Sequence, residues 1–182
     1  MLIDAGCEHL NYNGDVTRTF PANGKFSPAQ REVYQVVLEA QTALIDLIQP
    51  DTRIDILTDT AIDLLTEGMI RIGLLEGEKE ILIEEKAYRR FYMHGIGHPL
   101  GMDVHDICRI KDGKTFRRFQ PGMITTVEPG IYIAADARGV PPEYRGIGVR
   151  IEDDVLVTTG GYEVLTARVP KQIEDIEALM AG

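Results

Sequence analysis

Apolar residues recur at helical spacing in two stretches of the first half of the chain. Ser27-Pro28-Ala29-Gln30 is typical of a helix start, with Ser as the N-cap, Pro at the first helical position and Gln completing a capping box. A helix that Pro50 stops is predicted from the apolar positions Val33, Val36, Val37, Ala40, Leu44, Leu47 and Ile48. A second helix is predicted from about Asp55 to Ile72, with Gly73 as its C-terminal stop. Its buried side would carry Leu57, Ala61, Leu64, Leu65 and Ile72.

Strand-like patterns lie on both sides of this helical region. Two strands joined by a turn are predicted within residues 1–20, and further strands over 123–128, 130–134 and 148–158. The charged segment 76–90 is predicted to be exposed, with one more helical turn, and "KQIEDIEALM" closes the chain as a short amphipathic helix. A hairpin, two helices and then a larger β region predict an α+β domain.

Composition narrows the class of protein. The chain has 182 residues, enough for one domain, and its 44% hydrophobic and 26% charged residues are typical of a soluble globular protein. No apolar run is long enough for a membrane helix, and the net charge of −10 argues against nucleic acid or an anionic membrane as partner. Two cysteines make no disulfide framework, so a cytoplasmic location is expected. The acidic excess either covers a solvated surface or includes carboxylates that bind cations.

Asp4 and Asp15 are the first candidates for such a cluster. If the first two strands turn near His9-Leu10, the two aspartates lie directly opposite each other, with Cβ atoms roughly 5 Å apart. Like charges facing each other destabilise a hairpin, so a cation between them would explain the arrangement. A competing turn at Asn13-Gly14, which is a strong type I′ signal, would abolish the pairing.

Three of the four histidines lie in "MHGIGHPLGMDVHD", residues 93–106. The glycines make a helix costly there, so the segment is not the helical His-Glu-x-x-His motif of zinc proteases. In an extended segment His94 and His98 point to the same face, and glycines let another backbone approach closely. A bend after Pro99 could return His105 to the same place. The alternative is two core histidines and one at the surface.

Two glutamates in the β region complete the candidate set. Glu128 ends an apolar strand before Pro-Gly, and Glu152 shares a strand face with Arg150 and Asp154, where Arg150 could orient its carboxylate. Four carboxylates and one imidazole carry a charge near −4, which two divalent cations would neutralise: Asp4, Asp15, Glu128, Glu152 and His98. Oxygen ligands with one nitrogen suit manganese, cobalt or iron. Two such ions can polarise a carbonyl and share a hydroxide, as in aminopeptidases and phosphatases.

At this point the sequence resembles a known family. Four stretches are similar to the motifs of the pita-bread metallopeptidases, and most similar to those of aminopeptidase P, the Xaa-Pro aminopeptidase, with prolidase as the near relative: "LIDAGCEHLNYNGDVTRTF", "HGIGHPLGMDVHD", "TVEPGIYI" and "GIGVRIEDDVLVT". The resemblance implies a partial pita-bread (creatinase/aminopeptidase-like) domain, in which a curved antiparallel sheet carries helices on one face. In the family, an N-terminal domain and the first part of the catalytic domain precede these motifs. Residues 1–182 are therefore expected to be a partial metallopeptidase catalytic domain.

Residue by residue, the resemblance implies that Asp4, Asp15, His98, Glu128 and Glu152 bind metal. Asp15 and Glu152 would bridge two ions, Glu128 would also shuttle a proton, and His94 and His105 would contact the substrate and the tetrahedral intermediate. Two divalent ions are implied, manganese first, with cobalt, iron or zinc as alternatives. Neither Cys7 nor Cys108 matches a ligand.

The implied reaction removes an N-terminal residue that precedes proline, through attack of a metal-bound hydroxide on the scissile carbonyl. The expected partners are peptides with proline in second position and further copies of the chain in a homo-oligomer. The chain itself is expected to be weakly active or inactive, because the family's preceding segment is absent. The alternative function is a non-catalytic pita-bread module that binds peptides or partners. Such relatives typically lack the metal ligands that this chain keeps.

Overall fold

The structure, a computed structural model, describes residues 1–182. The helices are α1 (Pro28–Asp46), α2 (Ile56–Arg71), α3 (Lys79–Glu84) and α4 (Ile173–Met180), with short 3₁₀ helices at Ala87–Arg90 and Pro142–Tyr144. The strands are β1 (Leu2–Ala5), β2 (Glu8–His9), β3 (Tyr12–Asn13), β4 (Val16–Thr19), β5 (Lys111–Asp112), β6 (Thr115–Phe116), β7 (Ile124–Val127), β8 (Gly130–Tyr132), β9 (Gly148–Arg150), β10 (Asp153–Thr158) and β11 (Gly161–Val164).

The predicted helices are confirmed, and their ends follow the sequence signals. Ser27 and Gln30 form the reciprocal capping box at the start of α1, where the Ser27 side chain accepts from the Gln30 N–H and the Gln30 side chain accepts from the Ser27 N–H. Asp55 and Ile72 flank α2, and Gly73 has a φ of +73°, which glycine adopts without strain. None of these helices is both long and apolar enough to span a bilayer.

The strands pair only in antiparallel fashion and form five small sheets. The largest has the order β11-β10-β7, and the others are the pairs β1-β4, β2-β3, β5-β6 and β8-β9. The single strand predicted over 148–158 is wrong, because the chain leaves the ladder at Ile151–Glu152 and so divides into β9 and β10. At this break the Glu152 N–H donates to the carbonyl of Thr17 in β4 instead of to a neighbour of its own sheet.

Helix α1 lies against β7, β8 and β9 and contributes to both hydrophobic cores. The larger core contains Val33 and Val37 of α1 with Ile131 and Ile151, and the smaller core contains Leu44 and residues of the β11-β10-β7 sheet. Helix α2 packs against α1 and also contributes to both cores. The α+β class and the antiparallel sheet with helices on one face are thereby confirmed, with the sheet divided into small pieces.

Candidate metal centre

The first hairpin brings Asp4 and Asp15 together, but in a different register from the one predicted. The turn lies at Leu10-Asn11, whose φ angles of 53° and 68° are those of a type I′ turn, so neither predicted turn is correct. Asp4 consequently pairs with Thr17 and not with Asp15. Asp15 is the diagonal neighbour on the same face, so the two carboxyl groups lie near each other.

The histidine segment is extended, as predicted, and runs alongside β7. The Thr126 N–H donates to the His98 carbonyl (2.9 Å), and the Glu128 N–H donates to the Ile96 carbonyl (2.8 Å). Gly97 permits this approach, because a Cβ atom there would lie 2.0 Å from the Thr126 carbonyl oxygen. The backbone contacts aim the His98 imidazole at two carboxylates: Nε2 lies 3.4 Å from Asp15 Oδ2 and 3.5 Å from Glu128 Oε1.

The other two histidines of the segment lie beside His98, at the rim of the site. The rings of His98 and His105 are 4.2 Å apart between centroids, so the chain bends back after Pro99 as the sequence suggested. Nε2 of His94 is 2.8 Å from the hydroxyl of Tyr132, and its Nδ1 is 4.0 Å from Glu128 Oε2. His94 is partly exposed and His105 is exposed, so both can meet a bound molecule.

Glu152 lies at the break between β9 and β10 and is only 2% exposed. Its Oε2 accepts a 2.6 Å hydrogen bond from the hydroxyl of Thr17. Arg150 does not contact Glu152 directly. Its Nη2 pairs with Asp4 Oδ2 (2.7 Å) and its Nε donates to the Thr17 hydroxyl (3.1 Å), so Thr17 links Arg150 to Glu152.

The carboxylates disfavour one another's ionisation in the absence of a cation. Burial, followed by the charges of Glu128, Asp15 and Asp4, raises the pKa of Glu152 to about 8, although the Thr17 hydroxyl opposes this shift. Burial also raises the pKa of Asp15, and the neighbouring Asp4 raises it further. Such a cluster is stabilised when a cation replaces the protons.

The donor set fits a divalent metal. One ligand atom each of Asp15, His98 and Glu152 can be chosen so that all three lie within 4.8 Å of one another. Glu128 adjoins this group through its 3.5 Å contact with His98, and Asp4 adjoins it through Asp15. Oxygen donors with one imidazole nitrogen are the set that manganese, cobalt and iron accept. Three of the five residues predicted as ligands therefore form one group of mutually close ligand atoms, and the other two adjoin it.

Three polar residues at the site did not come out of the sequence reasoning as site residues. Thr17 hydrogen-bonds Glu152, Tyr132 hydrogen-bonds His94, and Asp154 Oδ2 accepts the N–H of Asp15 (3.0 Å). Alternation along "DVTRTF" puts Thr17 on the face of Asp15, and this signal could have identified it. Asp154 is 3% exposed, its Oδ1 has no hydrogen-bond partner, and burial raises its pKa to about 6. The exposed Cys7 and Cys108 are not part of the group of metal-ligand atoms.

Comparison with known sequences gives one family. Residues 1–159 match the model of metallopeptidase family M24. The Xaa-Pro aminopeptidase of Haemophilus influenzae is 54% identical over 180 residues, which are 99% of this chain and 41% of that protein. The Xaa-Pro aminopeptidase of Escherichia coli is 51% identical over 182 residues, which are 100% of this chain and 41% of that protein. The chain thus spans about two fifths of the length of the curated relatives it matches.

Solved structures give the same picture. The aminopeptidase PepP of Pseudomonas aeruginosa superposes with a TM-score of 0.97 at 54% identity, over 99% of this chain and 41% of that one. A zinc-substituted E. coli aminopeptidase P in complex with product has a TM-score of 0.93 at 50% identity, over 99% of this chain and 40% of that one. The fold described here is therefore shared with these aminopeptidases over nearly its whole length.

Proposed function

The chain belongs to metallopeptidase family M24, and on that premise we propose that it forms the metal site of a peptidase that removes an N-terminal residue preceding proline. The observation that carries the proposal is the convergence of Asp15, His98 and Glu152 within 4.8 Å, with Glu128 beside His98. The preference for proline rests on similarity to proteins named Xaa-Pro aminopeptidase.

In this proposal two divalent ions, manganese first, bind to the five residues Asp4, Asp15, His98, Glu128 and Glu152. Ions held there would supply Lewis acidity, which polarises a peptide carbonyl and lowers the pKa of water. Asp15 and Glu152 are the buried members at the centre of the cluster, and this position suits carboxylates that contact both ions. Asp4 is half exposed, lies on a strand that pairs only with β4, and forms an ion pair with Arg150.

The remaining residues would bind and orient the peptide and move protons. Glu128 lies between His98 (3.5 Å) and His94 (4.0 Å), where its carboxylate can accept a proton and return it to the leaving amine. His94, whose ring nitrogens bond the Gly95 carbonyl and the Tyr132 hydroxyl, is partly exposed and His105 is exposed, so both can contact a substrate. Arg150 neutralises and orients Asp4.

The exposed surface beside the site supports a homo-oligomer, which we also propose together with a cytoplasmic location. Asn13 of the first hairpin donates to the carbonyls of Gly101 (2.9 Å) and Met102 (2.7 Å), so β3 lies beside residues 101–102. Leu10 and Met102 are 77% and 64% exposed there. Exposed large apolar side chains on one part of the surface favour contact with another protein.

A manganese titration and a peptide assay on the same 182-residue chain test the function. We expect two Mn²⁺ per chain, and release of the first residue from a short peptide with proline second but not from its counterpart with alanine second. The rate is expected below about 1 s⁻¹, the low end of ordinary enzyme rates, because Asp4 lies half exposed on a strand that pairs only with β4, and a small misplacement of a ligand costs much rate. Glu152→Gln is the matched control, which should lose both manganese and release.

The assay also separates the peptidase from the alternative, a non-catalytic module that binds peptides. Such a module would bind the proline peptide without stoichiometric manganese and would release no residue. Equal release from the alanine peptide would contradict the proline preference while leaving a metallopeptidase.

A further inference from the structure

A buried ion pair between Arg18 and Asp153 lies behind the metal centre, on the opposite face of β4 from Thr17. Arg18 Nη2 is 2.7 Å from Asp153 Oδ1, and the two residues are 9% and 0% exposed. Asp153 also accepts hydrogen bonds from Thr166, Gln41 and Lys171, so both of its oxygens are fully used.

Arg18 uses all five of its N–H groups as donors. Three of them bind Asp153 and the carbonyls of Val169 and Pro170. The other two, both on Nη1, bind the carbonyls of Thr17 (2.9 Å) and Glu152 (2.5 Å). The guanidinium thus joins the main chain of two residues whose side chains face the metal site.

The contact of Arg18 with the Glu152 carbonyl lies at a break in the sheet, where Glu152 has no partner strand for its main-chain hydrogen bonds. Glu152 lies between β9 and β10, and its N–H donates to the Thr17 carbonyl (3.1 Å) while its own carbonyl accepts from Arg18. The peptide groups on both sides of the Glu152 Cα are therefore tied to β4. Asp15 is two residues before Thr17, so the same ties fix the position of Glu152 relative to Asp15.

We propose that Arg18 is a positioning residue of the metal centre: through the Glu152 carbonyl it fixes the spacing of the carboxylates of Asp15 and Glu152, and Asp153 holds its guanidinium in place. The inference rests on the proposed function, since it requires that these carboxylates bind metal. A buried ion pair by itself adds little net stability compared with apolar packing. Arg18 instead uses two of its donors on main-chain carbonyls at and beside a proposed ligand, which indicates that the pair serves to position that ligand.

Manganese binding and EPR of two variants test the proposal. Lys in Arg18→Lys keeps the positive charge beside Asp153, but its single nitrogen cannot reach Asp153 and both carbonyls together. We expect the second Mn²⁺ to bind about 10- to 100-fold more weakly, as for other residues that orient metal ligands. The exchange-coupled EPR signal of the manganese pair should weaken in the same variant.

Lys171→Met is the matched control, because Lys171 contacts Asp153 and Gln41 but no carbonyl at the metal site. It should retain the wild-type manganese titration and EPR signal, even if thermal stability falls. A folded Arg18→Lys variant with wild-type manganese binding and EPR would overturn the proposal. So would an equal change in Lys171→Met, which would show a general effect of the buried charges.

A second variant covers the case in which Arg18→Lys does not fold. The double variant Arg18→Gln with Asp153→Asn removes both charges of the pair, while the partly exposed Lys171 keeps its hydrogen bond to Gln41, and it should show the same loss of the second Mn²⁺. If neither variant folds, the pair belongs to the stability of the fold and the proposal is wrong. If the wild-type chain binds no manganese, the proposed function itself fails, and this outcome is distinct from the others.

Discussion

The hydroxyl of Thr17 donates a 2.6 Å hydrogen bond to Glu152 Oε2, so a side chain of the first hairpin holds a carboxylate that lies 135 residues further along the chain. The same hydroxyl accepts from Nε of Arg150, whose Nη2 pairs with Asp4. The Thr17 hydroxyl thereby connects Glu152, through Arg150, to Asp4, the proposed ligand that comes first in the chain.

Replacing Thr17 with valine tests this connection. Valine has nearly the same shape but no hydroxyl, so Glu152 loses its hydrogen bond and Arg150 loses an acceptor. We expect Mn²⁺ affinity to fall by about 10-fold or more, with the fold retained. Isothermal titration with manganese measures the change, and Thr17→Ser, which keeps the hydroxyl, is the control. Wild-type affinity in the valine variant would mean that the hydrogen bond does not orient the ligand.

Substitution of a metal ligand should lower metal occupancy, whereas substitution of a substrate-binding residue should not. His98→Ala and Glu152→Gln should each lower the manganese retained per chain after gel filtration, because both residues lie in the central cluster. His94→Ala should leave occupancy nearly unchanged and slow release of the first residue, because the ring of His94 bonds Tyr132 and faces the open side. Equal manganese loss in all three variants would assign His94 to the ligand set.

The metal-free chain should become less stable as pH rises toward 8. Glu152 has a pKa of about 8 in the folded chain against 4.5 for the free side chain, so the folded state keeps a proton that the unfolded state releases. The resulting stability is fully present below about pH 4.5 and is lost as pH rises through about 8. The raised pKa values of Asp15 and Asp154 act in the same direction.

Thermal unfolding with a chelator present, at pH 6 and at pH 8.5, measures this effect. The melting temperature should be lower at pH 8.5, and Glu152→Gln should reduce the difference. Asp153 does not affect the comparison between pH 6 and pH 8.5. Although burial opposes it, Arg18 and Lys171 hold the pKa of Asp153 below its usual value, so the stability that this residue contributes to the fold is lost only in acid. A wild-type melting temperature that is the same at both pH values would contradict the protonation of the cluster.

The sequence predicted what local patterns determine. The capping box at Ser27, the stop at Gly73 and the absence of a helix around His98 all follow from backbone preferences, and the structure confirms them. The four motifs also predicted the family, which the match over residues 1–159 confirms. These features depend on residues close in sequence or on motifs specific enough to identify relatives.

Long-range geometry could not be predicted in the same way. The register of the first hairpin depends on whether Leu10 adopts a positive φ, and leucine gives no signal for that. The break at Glu152 depends on Arg18 and Thr17, which are more than 130 residues away and provide the hydrogen bonds that the sheet lacks. The roles of the predicted ligands stay predictions until metal binding is measured.

Gly97 and Gly95 flank Ile96 and offer a matched pair for the last prediction. A Cβ at Gly97 would lie 2.0 Å from the Thr126 carbonyl oxygen, which belongs to β7 and cannot move without breaking the hydrogen bonds that join the two segments. A Cβ at Gly95 would have its nearest neighbour at 4.0 Å. The two substitutions therefore add the same methyl group, which is crowded by the backbone at position 97 and unobstructed at position 95.

Gly97→Ala should lower the free energy of unfolding by about 1–3 kcal/mol, as overpacking does, and should weaken manganese binding, because His98 follows directly and moves with the segment. Gly95→Ala should leave stability unchanged or raise it by about 0.4–1 kcal/mol through the loss of unfolded-state entropy. Urea unfolding and a manganese titration of both variants measure the two effects. If Gly97→Ala kept the wild-type stability and affinity, the close approach of this segment to β7 would not be what aims His98 at Asp15 and Glu128.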